Sequence, residues 1–202
     1  MLQIQRHHDA IASPQGEPWM SSLTSKRPST SAEQRLQDYR ALMAIIVSGV
    51  HGTDCKESEF SGSTFRLPDL DALTTVNSIP ATTAHCIVRQ GIPSRSLVAL
   101  GEYLGIGKGA LAELVDLDRA TAFRKVAVEK PLPMHAAESV LRLLELNQLA
   151  EDTFETPEEA AAWLRRGHPM LGGESPLDWA RTAYGAERVK EILIAVKYGG
   201  AV

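Results

Sequence analysis

The chain has 202 residues, of which 44% are apolar and 23% charged, the balance of a packed soluble protein and not of a disordered one. A formal charge of -4 and a pI near 5.9 exclude a surface coated in positive charge, so any contact with nucleic acid must come from a local patch. The two cysteines, Cys55 and Cys86, stand in no pairing or metal-ligand spacing, no apolar run is long enough to span a bilayer, and the N-terminus lacks the order of a signal peptide. The expectation is therefore a cytoplasmic protein of a reducing compartment with no membrane association.

Residues 1–32 mix Ser, Thr, Pro, Gln and His with few large apolar side chains and read as a flexible leader, with Met20 as an alternative start. From about Ala32 the pattern is helical, with Leu36, Tyr39, Arg40 and Met43 leading into an apolar run that Gly49 and Gly52 halt. A polar loop is expected at about 51–63, and a short helix within 64–80, where Pro68, Asn77 and Pro80 act as breakers. Gly91 and Pro93 then separate a short helix from one carrying Leu97, Leu100, Gly101 and Leu104 at the spacing of a single buried face. Gly105 caps that helix. Helices at 108–115 and 119–129 follow, closed by Pro131 and Pro133.

The last third is built the same way. A helix from His135 to about Asp152 sets Ala137, Val140, Leu141 and Leu144 on one face. Thr156-Pro157-Glu158-Glu159 is a capping box with proline at the first helical position, and Ser175-Pro176-Leu177-Asp178 repeats the device. Gly167 and Gly185 read as the stops of those two helices, and a final helix with Val189, Ile192, Leu193 and Val196 on one face stops at Gly199. No strand pattern occurs, so the fold class is all-α, in two helical units joined near 129–134.

Catalytic chemistry finds little support. His51 and Cys55 are four apart, but in a Gly- and Ser-containing loop with no third ligand nearby. Gly105-Ile106-Gly107-Lys108-Gly109 follows a helix and lacks the spacing and the Ser or Thr of a phosphate loop, so it reads as a cap and turn. No nucleophile elbow, acid pair or cysteine–histidine signature is present, and neither a metal nor a cofactor is expected.

Trp163-Leu164, Pro169-x-Leu171-Gly172-Gly173, Pro176-Leu177, Thr182, Gly185, Val189, Leu193 and Gly199 resemble, in order and spacing, the C-terminal domain of the Xre/MbcA/ParS antitoxins. Ala180 departs from the pattern where a larger aliphatic residue is usual, and Trp179 and Tyr184 are bulky for their places. The preceding stretch, GIPSRSLVALGEYLGIGKGALAELVDLDRATAFRK, is similar to the helix-turn-helix region of the same family. The resemblance implies an Xre-like helix-turn-helix domain over 33–133, best matched over 81–130, followed by a small helical toxin-binding domain over 134–202. It implies a bacterial type II toxin–antitoxin system and a partner with a RES domain, an NAD-consuming or ADP-ribosylating toxin. This chain would be its non-enzymatic antitoxin, covering the toxin's active site. A homodimer within a larger toxin–antitoxin complex, binding operator DNA and regulating its own transcription, belongs to the same expectation.

In the helix-turn-helix, Leu111, Leu114 and Val115 pack, Asp116-Leu117-Asp118 turn, and the second helix presents Arg119 and Thr121 to base edges, with Arg124 and Lys125 to bases or phosphates. Between Ile92 and Lys130 six basic residues face five acidic ones, a net of only +1, so the bland reading, a dimerisation scaffold with solvated arginines, stays open. From His135 on, eleven acids against seven bases give a net of -4, which argues against nucleic acid there. The resemblance implies that the end of the last helix, here Lys197, Tyr198, Gly199, Gly200, Ala201 and Val202, approaches or plugs the toxin's NAD pocket, where a terminal carboxylate would stand in for phosphate. Fraying of these residues is the alternative. Trp179, with Trp163 and Tyr184, reads either as core or as an interface anchor. Two other classes remain: a helix-turn-helix transcription regulator whose C-terminal module senses another protein or a ligand, with no RES partner, and a small enzyme with an unrecognised site.

Overall fold

The computed structural model of the chain describes residues 32–49, 79–120, 124 and 130–199, all within one compact unit that begins at Ser31. The leader up to residue 31, the loop at 51–63 and all but the last two residues of the segment 64–80, where a short helix is expected, lie outside the described residues. The described residues are all-α: α1 (Ala32–Val47), α2 (Ala81–Gln90), α3 (Ser96–Leu104), α4 (Lys108–Leu114), α5 (Met134–Phe154), α6 (Pro157–Arg165), α7 (Pro176–Trp179) and α8 (Ala183–Tyr198), with a 3-10 turn at Pro169–Leu171. Residues 119–120 and 124 are helical as well, giving the helix-turn-helix order ahead of the C-terminal helices. None of these helices is long and apolar enough to cross a membrane.

The axis of the fold is α5. At 21 residues it is about 30 Å long, and it is buried on more than the single face the periodicity marks. Besides Ala137, Val140, Leu141 and Leu144, it buries Ala136, Leu143, Leu146, Asn147 and Ala150. The physical reason is that α5 is packed from two sides, by α2 and α3 and by α6 and α8. One apolar cluster therefore runs from Tyr39 and Met43 on α1, through Leu97, Leu100 and Leu104 on α3 and Leu111 on α4, to Leu164, Val189, Ile192 and Leu193. The linker between the halves is itself tied down: Pro93 and Pro131 form an antiparallel bridge, in which the Leu132 N–H donates to Ile92 O at 2.8 Å and the Ser94 N–H to Lys130 O at 3.3 Å.

Arginines fasten the periphery to this core. Arg35 on α1 donates Nε to Glu151 on α5 at 2.9 Å, pairs with the same carboxylate through Nη2, and gives Nη1 to Tyr103 O on α3 at 2.7 Å. Its guanidinium also lies 3.8 Å over the Tyr103 ring. Glu151 accepts a further bond from the buried Asn147 at 2.7 Å. Arg165, at the end of α6, donates to Leu104 O and Gly105 O, the carbonyls left open where α3 ends. Arg142 on α5 donates to Ala180 O at 2.9 Å, and Ala180 itself is buried. Burial lowers the pKa of Arg142 and raises that of Tyr103.

The caps follow the sequence pattern in most places. Gly105 takes the left-handed φ of 64° after α3 and Gly199 a φ of 67° after α8. Thr156 and Ser175 accept from the N–H groups of Glu159 and Asp178, at 3.3 and 3.1 Å. Two glycines have a different role from the one expected. Helix α6 ends at Arg165, before Gly167, and Gly185 stands inside the first turn of α8, whose cap is Thr182. A Cβ on Gly167 would overlap the Gly173 carbonyl oxygen, and one on Gly185 the Trp179 carbonyl oxygen. Both are glycine because backbone passes against backbone, not because a helix stops there. The cysteine expectation is corrected too. Cys86 is buried on α2 and disulfide-bonded, and the sequence holds one other cysteine, Cys55, outside the described residues. Pairing depends on proximity in space, which linear spacing does not report.

Arg35→Ala should leave Glu151 half-buried without its cation and cost about 3 kcal/mol, a Tm fall on the order of 10 °C. Thermal melts followed by circular dichroism check this, and a loss within about 0.5 kcal/mol, the range of ordinary surface substitutions, would contradict the role assigned to Arg35.

Candidate functional site

Helix α8 is held against α5 in parallel and in register. Lys190 reaches Glu145 at 3.5 Å, and seven residues later on each helix Lys197 pairs with Asp152. Two turns separate the pairs on both helices, so the side chains return to the same seam. Burial disfavours the Lys190 charge, but Glu187 and Glu145 outweigh it and raise the lysine's pKa. The hydrogen bond that Lys197 donates to Asp152 raises its own pKa.

This seam buries Val189, Ile192 and Leu193 and turns the opposite face outward. Exposed there are Tyr184, Ile194 and Tyr198, at 92%, 48% and 74%, between Glu187, which pairs with Lys190, and Glu191, which pairs with Arg188. Val196, expected on the buried face, is 43% exposed. Its phase is that of the core, but the packing thins before the last turn of α8. The bulk of Tyr184 needs no accommodation, because the ring is in solvent.

The predicted toxin-binding residues divide accordingly. Tyr198 is exposed, Lys197 is paired to Asp152 with its ammonium 5.6 Å from the Tyr198 ring, and Gly199 caps the helix with open space where a Cβ would stand. Gly200, Ala201 and Val202 lie outside the described residues. Trp179 is half-buried, packs on the core and donates Nε1–H to Leu171 O at 3.0 Å. Through that bond it ties the 3-10 turn to α7. Sequence reasoning does not mark Ile194 as an interface residue and leaves Tyr184 between core and interface. Their spacing with Tyr198 along one outward line becomes readable only once the opposite face is known to be buried.

Of the predicted DNA-binding residues, Arg119 and Arg124 are exposed and Thr121 and Lys125 lie outside the described residues. The turn before them is built as expected: Asp116 takes a φ of 53°, the Leu117 N–H donates to Ala112 O at 2.8 Å, and Leu117 is buried. Arg119 folds back over Gly109, where a Cβ would collide with its guanidinium, 3.9 Å from Glu113. Both partners are largely exposed, so the pair is weak. Among the described residues no group of three or more His, Cys, Asp or Glu could hold a metal, and His51 and Cys55 lie outside them. Gly107 is the extended N-cap of α4, so the glycine-rich stretch serves as cap and turn. A cleft of about 290 Å³ between that turn and α6–α7 has Arg165, Arg181, Glu113 and Asp178 in its lining, charges of both signs.

The arrangement defines a class: an all-α fold that presents exposed apolar side chains on the outer face of its last described helix. Residues 149–199, which contain that face, match the family described as the antitoxin Xre/MbcA/ParS C-terminal toxin-binding domain. The chain is also similar to the Prs ADP-ribosylating antitoxin of Sphingobium sp. (strain YBL2), at 29% identity over 122 residues, 56% of this chain and 77% of the relative. Both comparisons thus make the chain similar to the Xre/MbcA/ParS antitoxins, the first over its C-terminal helices alone.

Trp179→Phe keeps an aromatic ring but leaves Leu171 O without its donor. It should cost about 1 kcal/mol of stability and leave partner affinity unchanged, which denaturant unfolding and a binding titration check together.

Proposed function

We propose that this chain is an antitoxin that neutralises an ADP-ribosylating or otherwise NAD-consuming RES-domain toxin, by binding without turnover and covering its active site with the end of α8 and the residues that follow. The observation that carries the reading is where the apolar surface lies. Of the six large apolar side chains exposed among the described residues (Leu36, Met134, Tyr184, Ile194, Val196 and Tyr198), four are on α8, within the toxin-binding family match. Aromatic side chains exposed in this way are the usual anchors of protein interfaces. Lys197, paired to Asp152, steadies the turn from which Tyr198, Gly199, Gly200, Ala201 and Val202 reach the toxin. Small residues there suit a narrow nucleotide cleft. The resemblance of the matched domain and the name of the Sphingobium relative support the choice of toxin class.

The test is co-purification with the neighbouring gene product, followed by an NAD-consumption assay of that protein with and without this chain. Tyr198→Ala should weaken inhibition by about tenfold or more, and a chain lacking Gly199 to Val202 should bind but inhibit incompletely. Full inhibition by both variants would end the reading.

The helix-turn-helix residues support a second role, binding of operator DNA by a homodimer, in which Arg119, Thr121, Arg124 and Lys125 act twice and offset the small net charge. The exposure of Arg119 and Arg124 on the segment after the turn favours it. Arg124→Ala should weaken binding to a fragment of the chain's own promoter and make the salt dependence shallower, by about one unit of slope for each phosphate left without its cation. An unchanged titration in an electrophoretic shift assay would leave the domain as a dimerisation scaffold.

A further inference from the structure

Helix α8 is mounted unevenly. At its start the backbone is held by several contacts at once. The Thr182 hydroxyl accepts from the Gly185 N–H at 3.0 Å, Gly185 lies so close to Trp179 O that a Cβ would overlap it, and Arg142 gives Nε to Ala180 O at 2.9 Å and Nη2 to Arg181 O at 3.3 Å. Ala186 and Val189 follow, both buried. Toward its end the helix has no buried side chain beyond Leu193 among the described residues, and Lys197 pairs with Asp152 there.

Tyr184 stands at the firmly held end. Its ring is 92% exposed, and among the described residues neither the ring nor the hydroxyl has an aromatic or hydrogen-bond partner. Such a side chain adds little to the chain's own stability. On a fixed backbone it has the form of a binding anchor, because tyrosine offers a large contact area with two rotatable bonds to freeze and little else there needs ordering. Glu191 and Tyr198 follow it at seven-residue intervals, so the two rings lie along one outward line of the same helix, about 21 Å apart.

We propose that Tyr184 is a second toxin anchor and that the two ends of α8 divide the work, the start setting affinity and the end closing the active site. This rests on the toxin-binding reading above. The occupant is the toxin because Tyr184 lies within residues 149–199, which match a toxin-binding domain, and faces the same way as Tyr198 on one helix. Standing so far back along the helix, Tyr184 meets the toxin outside the pocket that the tail enters. The seat it fits is an apolar depression with a polar group for the phenol hydroxyl.

The test titrates the full chain against the co-purified neighbouring gene product and reads two quantities, the concentration giving half-inhibition of NAD consumption and the activity left at saturation. Tyr184→Ala should raise the first by about tenfold or more and leave saturating inhibition complete. If that variant lowers the melting temperature, Tyr184→Ser replaces it. A normal titration by the Tyr184 variant alongside a weakened one by Tyr198→Ala overturns the second anchor and leaves the toxin-binding reading standing. Normal titrations by both, or no binding of the neighbouring product at all, sink that reading as well. Activity remaining at saturation with the Tyr184 variant puts the ring in the active site and overturns the division of work. A Tyr184 variant that inhibits normally but changes the size of the free chain in solution assigns the ring to a second copy, and also overturns the proposal.

Discussion

The guanidinium of Arg35 is the constraint on which the arrangement of the helices turns. It is anchored on α1, accepted by a carboxylate of α5 and by a backbone carbonyl of α3, and stacked on the ring of Tyr103. A charge withdrawn from water is tolerated only where it is paired and hydrogen-bonded. Moving any one of the three helices would break that condition. The flat, forked group suits the task because one side chain can satisfy partners on two elements and still cover an aromatic face. Arg165 and Arg142 repeat the device farther along, each taking backbone carbonyls at the end of a neighbouring element. The core supplies most of the driving force, and the arginines fix which way its pieces face.

Much of the fold was legible because helices advertise their ends. Threonine or serine followed by proline and an acid marks a start through local hydrogen bonding, and α6 and α7 begin where those residues stand. The i, i+3, i+7 stripe of α3 is buried as spaced. What local pattern cannot report is how distant segments meet. Gly167 and Gly185 look like stops to a reader of neighbours, yet each is fixed by a carbonyl that the fold brings against it. The second buried face of α5, the seats of the arginines and the bonded state of Cys86 are likewise set by elements far away in sequence.

The candidate surface was legible in a similar measure. Tyr198 and the Lys197 turn stand at the end of the last helix, where the resemblance put them. Trp179 illustrates the limit of reasoning from residue type: an indole suits an interface and a core equally, and its bond to Leu171 O is not announced by local pattern. Leu36 and Val196 illustrate the converse. Both belong to correct apolar stripes, and whether a stripe is covered along its whole length depends on where the neighbouring helices end.

The antiparallel bridge at Pro93 and Pro131 stitches the linker to the loop before α3, and the apolar cluster passes beneath it without a seam. Such a body melts cooperatively instead of shedding one end while keeping the other. Damage to either half would therefore be felt by both, because the helix-turn-helix region and the C-terminal helices draw their stability from one hydrophobic core.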